Sequence, residues 1–189
     1  LAAVRAHRCP SVQCTEILPE VEVLKAHPTQ AARALGTLRR NGVSVAFGVD
    51  ARKLDEEVEC ILWKQRQRHN VELADCIVWN NPYAGDWAGE TMAEPNRLLL
   101  RCFFGAALRW GELVGCLPLV HVTMGTYQLA DWGVLAAARD CFLELEDVHA
   151  FEPSQHVGYV PRRNDRDAEF HVGEVRTYSF AFESTRLYA

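Results

Sequence analysis

Residues 74–83 read ADCIVWNNPY, an apolar run that ends in a polar, proline-containing turn. The run 74–79 predicts a strand because it is short, apolar and followed by turn residues. Asn80, Asn81, Pro82 and Tyr83 then stand at the carboxyl end of that strand. Ligands of open α/β sheets bind at the carboxyl ends of strands, so this turn is the first candidate for a site.

Strand-like and helix-like segments alternate on both sides of this stretch. Upstream, the pattern predicts strands at 11–17 and 43–49, and one helix at 20–41 that stops at Asn41-Gly42. The other predicted elements are a helix end at 1–7, helices at 54–68, 95–111 and 132–141, a loop at 84–93, and strands at 117–124, 143–150 and 175–182. Asp131 is expected to cap the helix that follows it. The order predicts one α/β domain over 1–189, with a mostly parallel sheet and an antiparallel pair at one edge.

The composition limits the classes of function. The chain is 49% hydrophobic and 24% charged, as in ordinary globular proteins. A net charge of −5 excludes a surface that binds nucleic acid over its whole extent, but it allows a local basic patch. The seven cysteines lack CxxC spacing, so we expect reduced thiols, an intracellular location and no metal site. No apolar run suits a bilayer, and the initial Leu1 suggests a processed or partial chain.

Three polar groups fall on or after predicted strands. Asp50 could accept hydrogen bonds from an adenine amino group or a ribose hydroxyl, or it could cap a helix. The turn from Asn80 could hold the edge of a flat base, with Tyr83 as a stacking face, or it could be an ordinary turn. His121 and Thr123 share one side of their strand. His121 could accept a proton, or it could be a core histidine with a satisfied hydrogen bond.

Taken in order, these pieces resemble the large-subunit rRNA uridine-N3 methyltransferases and their relatives. The same domain also occurs fused to a ferredoxin-fold anticodon-binding module. The similar pieces are 24–28 (LKAHP), 41–43, 48–54 (GVDARKL), 76–85 (CIVWNNPYAG), 100–104 (LRCFF), 120–123 (VHVT), Tyr127, Trp132, Phe151 with Pro153, Gly158-Tyr159 with Arg162-Arg163, and 173–174 with 176–178.

This resemblance implies a Rossmann-like methyltransferase sheet of seven strands, mostly parallel, with an antiparallel last strand. The sequence supplies six of them, and the first strand, which would lie in the middle of the sheet, is absent. An open sheet centre would expose backbone groups and core. We therefore expect a preceding segment or a partner to fill the gap.

The resemblance also implies S-adenosylmethionine as the cofactor. Asp50 and Ala51 would lie near its adenine end, and the turn Asn80, Pro82 and Tyr83 would line the pocket where cofactor and target base meet. The glycine-rich loop of the family is absent. Leu18 stands where the family has a ribose-binding acid, so Glu16 or Glu20 would substitute.

For an active enzyme, His121 or Asp86 is the candidate base that removes the uridine N3 proton, and Tyr83 or Trp87 could hold an extruded base. The RNA phosphates could be bound by arginines, unless these belong to solvated loops. They are Arg162, Arg163 and Arg166, with Arg66 and Arg68.

The sequence leaves two functions open. The first is an S-adenosylmethionine-dependent RNA methyltransferase that acts on uridine N3 in ribosomal RNA. The second is a catalytically inactive relative that serves as a structural or assembly component of a ribosome or other ribonucleoprotein. Both imply ribosomal RNA or a pre-ribosomal particle as partner, rather than DNA or a membrane, in the nucleus, nucleolus or mitochondrion.

Overall fold

The computed structural model describes residues 12–56, 76–85, 93–155 and 173–183. These residues fall into two compact units. The first contains 12–50 and 152–155, and the second contains 51–56, 76–85, 93–151 and 173–183. Both are α/β, so the predicted class is confirmed, and their parallel strands are consistent with a Rossmann-like fold.

The first unit has a two-stranded parallel sheet and two helices. Its elements are β1 (Gln13–Glu16), α1 (Glu20–Ala26), α2 (Pro28–Arg40), β2 (Ser44–Phe47) and a 3₁₀ turn at Pro153–Gln155. Strands β1 and β2 pair in the register Gln13 with Ser44 through Glu16 with Phe47. The strands predicted at 11–17 and 43–49 are therefore present, in shorter form.

The single helix predicted at 20–41 is wrong, because the chain forms two helices that meet at His27 and Pro28. A proline disfavours helical geometry in the residue before it, and His27 has φ −134° and ψ 63°. Pro28 then opens α2, where its missing N–H would have no helical partner in any case. The predicted stop is confirmed, since Asn41 caps α2 and Gly42 has φ +74°.

The second unit has a four-stranded sheet with helices against one face. Its strands are β3 (Cys76–Asn80), β4 (Leu119–Gly125), β5 (Leu143–Ala150) and β6 (Val175–Phe182). Its helices are α3 (Ala93–Val114), α4 (Thr126–Asp131) and α5 (Val134–Arg139), with a 3₁₀ turn at Ala51–Lys53. The strand order is β3-β4-β6-β5, in which β3 and β4 are parallel and β6 is antiparallel to both neighbours. The predicted antiparallel pair at the edge is confirmed.

Two predicted features near α5 need correction. Residues 126–131, for which no element was predicted, form α4, and Asp131 ends that helix instead of capping the next one. The cap of α5 is Gly133, in the left-handed conformation with φ +59°. A glycine takes that conformation without the steric penalty that a residue with a Cβ atom would carry. The helix predicted at 54–68 is described only to Glu56 and is helical there.

The core of the second unit lies between the sheet and α3 and α5. Aromatic rings connect the layers: Trp79 meets Phe103 with centroids 4.6 Å apart, and Phe104 meets Phe180 at 5.4 Å. Both phenylalanines of α3 and Phe180 are almost fully buried. Burial of this apolar surface is the main favourable term in the stability of the unit.

Candidate active site

The turn after β3 is held by the neighbouring strand. Asn80 is exposed and lies opposite Thr123 in the β3–β4 register. Asn81 has φ +51°, a left-handed conformation that asparagine tolerates better than most residues. In this position its N–H donates to the Thr123 carbonyl at 2.7 Å. The chain therefore turns sharply at the strand end, directly after Asn80.

A second anchor fixes the far side of the turn. The N–H of Ala84 donates to Oδ1 of Asn96 at 2.9 Å, and Asn96 is fully buried in α3. Between the two anchors Pro82 is buried, whereas Tyr83 keeps 40% of its surface exposed. The turn thus has a fixed backbone with an amide and an aromatic ring on its accessible side.

Asn96 is not among the site residues that the sequence indicated. The available indication was a polar residue four positions before Leu100, on the side of α3 that is otherwise apolar and buried. Buried polar side chains are nearly always hydrogen-bonded, so such a residue marks a specific contact.

His121 lies on the same sheet face as Asn80. Its register partner is Val78, and this pair lies two pairs further from the strand end than the pair of Asn80 and Thr123. Nδ1 of His121 is 2.7 Å from Oγ of Ser179 on β6. The ring therefore has the hydrogen bond that was expected if His121 were a core histidine. Burial lowers the pKa of His121 below its usual value, and the nearby His149 lowers the same pKa further. The ring is therefore neutral at pH 7 and able to accept a proton.

The same face carries a second polar contact, between two hydroxyl groups. Oγ1 of Thr123 is 2.9 Å from Oγ1 of Thr177, and only 1% of Thr123 is exposed. Together with His121 and Ser179, these side chains form a polar strip across β4 and β6. The sequence indicated His121 and Thr123 but not their partners on β6.

The first unit holds two other predicted cofactor residues, Glu16 and Asp50. Glu16 ends β1, and its carbonyl accepts the N–H of Val49, next to Asp50. Oε1 of Glu16 accepts the N–H of Leu18 at 3.2 Å. Glu16 and Asp50 therefore stand at the carboxyl edge of the two-stranded sheet, and both are half-buried.

The structure separates the two acids considered for the ribose. Glu20 makes two hydrogen bonds of 2.8 Å to Arg39, which joins α1 to α2. Its carboxylate is engaged in an ion pair, whereas the Glu16 carboxylate accepts the N–H of the nearby Leu18. Ala51 begins the 3₁₀ turn of the second unit.

Several predicted residues lie outside the described part of the chain. They are Arg66, Arg68, Asp86, Trp87, Arg162, Arg163 and Arg166. Within the described ranges, no group of three or more His, Cys, Asp or Glu side chains is arranged to hold a metal ion. Within the same ranges, no helix has the length and apolar character that crossing a membrane requires.

The sequence was compared with known proteins. A family model described as "BMT5-like: rRNA (uridine-N3-)-methyltransferase BTM5-like" matches residues 2–163. The chain is also 29% identical over 184 residues to "Heavy metal-associated isoprenylated plant protein 41" of Arabidopsis thaliana. The alignment covers 93% of this chain and 34% of that protein, so the chain spans about a third of its relative's length.

Proposed function

This chain belongs to the BMT5-like family of rRNA (uridine-N3-)-methyltransferases, and from that premise we propose that it methylates N3 of a uridine in ribosomal RNA. The proposed methyl donor is S-adenosylmethionine. The observation that carries the proposal is the doubly anchored turn Asn80–Tyr83 at the carboxyl end of β3. Reactions that depend on positioning need such a rigid support.

The turn suits a flat base. The Asn80 amide has a donor and an acceptor for the edge of a base, and the exposed ring of Tyr83 provides a face for stacking. A uridine in structured RNA must leave its stack to be modified at N3, which costs unstacking energy. Contacts of this kind would compensate part of that cost.

The chemistry requires a proton acceptor. Uridine N3 carries a proton, which must leave before or while the nitrogen attacks. His121 lies on the same sheet face as Asn80, is neutral at pH 7, and is our proposed base. S-adenosylmethionine, when bound, supplies a methyl group on a positively charged sulfur.

Residues of the first unit fit the cofactor's nucleoside part. Ribose hydroxyls and an adenine amino group are donors, and Glu16 and Asp50 are carboxylates at the edge where such ligands bind. We propose that Glu16 holds the ribose in place of the acid that Leu18 replaces, and that Asp50 and Ala51 lie near the adenine.

The strand order within each sheet supports a complete methyltransferase sheet. Doubly wound sheets place the first strand between the second and the fourth. Here β1 pairs with β2 in one sheet, and β3 lies at the edge of the other sheet. Strands of parallel sheets are usually buried on both faces, yet Val78 of β3 is 57% exposed. We propose that a further strand and its helices complete this sheet, and that Arg162, Arg163 and Arg166 contact phosphates.

The test is a methylation assay with the full-length protein, ribosomal RNA and labelled S-adenosylmethionine. The product is digested to nucleosides and identified by mass spectrometry. Asn80→Ala should lower the rate by about 10²-fold, because the base loses its positioning contact. The matched control is Asn41→Ala, which makes the same change at the exposed cap of α2. RNA binding without methylation by the wild type would instead support a structural role, and activity retained by Asn80→Ala would remove that residue from the site.

A further inference from the structure

Four polar side chains follow one another across three strands of the second unit. From β4 to β5 they are His121, Ser179, His149 and Asp147. Nδ1 of His121 is 2.7 Å from Oγ of Ser179, and the same Oγ is 3.5 Å from Nε2 of His149. Nδ1 of His149 is in turn 3.2 Å from Oδ2 of Asp147. The chain of contacts begins at a half-buried ring and ends at a carboxylate in solvent.

A β-bulge in β5 puts Asp147 and His149 on the same sheet face as His121 and Ser179. The pairing shifts between Leu145, which lies opposite Phe180, and Asp147, which lies opposite Ser179. The extra residue is Glu146. Without it, Asp147 and His149 would point towards the core, since side chains alternate along a strand. Bulges commonly redirect side chains beside active sites.

The positions of the protons in this series of hydrogen bonds can be assigned by starting from Asp147. The Asp147 carboxylate only accepts, and its Oδ1 already accepts the Val148 N–H at 2.7 Å. With His149 neutral, its Nδ1–H therefore donates to Asp147, and its Nε2 accepts the Ser179 O–H. Ser179 has a single proton, so its oxygen accepts from Nδ1–H of His121. The lone pair of His121 is then on Nε2, the nitrogen that is not bonded to Ser179.

We propose that Ser179, His149 and Asp147 position His121 with Nε2 as the open proton acceptor, and that they carry the accepted proton away. This inference rests on the proposed methylation of uridine N3. The three residues are positioning residues, because none of them touches the reacting atoms.

The proton and electron balance is as follows. The N–H bond at uridine N3 breaks and an N–H bond forms at Nε2 of His121. The electron pair on N3 forms the bond to the methyl carbon, whose bond to sulfur breaks with its pair left on sulfur. One proton then shifts along each of three hydrogen bonds, from His121 to Ser179, from Ser179 to His149 and from His149 to Asp147. His121 is then neutral with its proton on Nε2, and Asp147 releases a proton to water. The starting tautomer returns when Nε2 loses its proton to water and Asp147 passes a proton from water back along the same three hydrogen bonds.

The titratable groups on this face bear on how the methylation rate depends on pH. Among the described residues, β5 contributes Glu144, Asp147 and His149, and β3 contributes Cys76. On β6 the facing side chains Thr177 and Ser179 are neutral. Asp147 stabilises protonated His121 through the chain, whereas a positive charge on His149 opposes it.

The first experiment is the pH dependence of single-turnover methylation by the full-length protein. The rate should rise with pH as His121 loses its proton. Asp147→Asn should move that inflection to lower pH, and His149→Gln should move it to higher pH. Ser179→Ala should lower the rate by about 10²-fold at every pH, and Ser179→Thr, which keeps the hydroxyl, should restore it. The control Glu144→Gln removes a carboxylate from the same strand and face and should leave the rate unchanged. Unmoved inflections in both the Asp147 and His149 variants would overturn the proposal.

A second experiment does not depend on activity. Long-range ¹H–¹⁵N NMR of the imidazole nitrogens reports which ring nitrogen carries the proton. The wild type should show His121 protonated at Nδ1, and Ser179→Ala should abolish that preference. A wild-type ring protonated at Nε2 would disprove the relay, even if methylation occurs. A ring protonated at Nδ1 in a protein without methylation would leave the relay intact and reject only the proposed function.

Discussion

Asn96 illustrates what a single buried amide does for the candidate site. It is fully buried, and its Oδ1 holds the Ala84 N–H on the far side of the turn that carries Asn80 and Tyr83. Truncation to Asn96→Ala leaves that N–H without its acceptor, which costs about 1–3 kcal/mol of the free energy of unfolding. The turn should loosen as well, so methylation should fall more than the stability loss explains.

Gln128 offers a matched control for this prediction. It is also a buried amide, and its Oε1 accepts the Gly125 N–H at 2.7 Å, at the start of α4. Urea unfolding of Asn96→Ala and Gln128→Ala should give similar losses of stability. Methylation, measured where both variants are folded, should fall further for Asn96→Ala. Equal rates would mean that the turn does not need its second anchor.

At the same scale, the sequence identified some site residues and not others. Asn80, Tyr83, His121 and Asp50 were indicated because a polar residue at a strand end or in an apolar strand is visible locally. Ser179, His149 and Asn96 were not, since their significance lies in contacts between residues far apart in the chain. Only the pairing of β6 with β4 and β5 brings the first two of them beside His121.

Helix α3 depends on a glycine where residues 116 and 117 come close to its backbone at Gly111. A Cβ on Gly111 would lie 2.8 Å from Cδ2 and 3.1 Å from Cα of Leu117, and 3.1 Å from the carbonyl oxygen of Cys116. Gly111→Ala gains about 1 kcal/mol of helix propensity but suffers overpacking that costs about 1–3 kcal/mol. Because backbone atoms cannot move aside as a side chain can, we expect a net loss of stability.

Gly105 in the same helix is the control. A Cβ there would meet the flexible guanidinium of Arg109 at 3.2 Å and Sγ of Cys141 at 3.8 Å. Gly105→Ala should therefore be neutral or gain up to about 1 kcal/mol. Urea unfolding midpoints measure both changes. A Gly111→Ala protein as stable as Gly105→Ala would contradict the close contact with Leu117.

Element types were largely predictable and element boundaries were not. The periodicity of 20–41 continues through His27, but the steric effect of Pro28 on the residue before it divides the helix. In β5 the sequence LELEDVHA places apolar residues at 143, 145, 148 and 150, and that change of phase is the mark of the bulge. Strict alternation was assumed for this strand, so the bulge was missed.

At the scale of the whole molecule, the two described sheets differ in how many buried apolar residues support them. The buried cluster around Phe104, Val122 and Phe180 belongs to the second unit. In the first unit the buried apolar residues are Ala31, Leu35, Val43 and Val49, and its sheet has two strands. Two-stranded sheets are marginal unless further strands or helices support them. The sequence predicted the six strands and an open sheet centre but not the register in which the strands pair, because pairing is decided by contacts between distant segments.

This difference predicts that the backbone amides of the two sheets are unequally protected from hydrogen exchange. Amide hydrogen exchange of the full-length protein, followed by mass spectrometry, should be at least about tenfold slower in β4 and β6 than in β1 and β2, since local opening is cheaper where less apolar surface is buried. If Glu16 and Asp50 bind the cofactor, S-adenosylmethionine should slow exchange in peptides that span β1 and β2, because ligand binding stabilises the state that it recognises. Methionine, which lacks the ribose and adenine, is the control and should not slow it. Equal exchange in the two sheets without ligand would contradict the unequal support, and equal protection by methionine would move the proposed site away from these carboxylates.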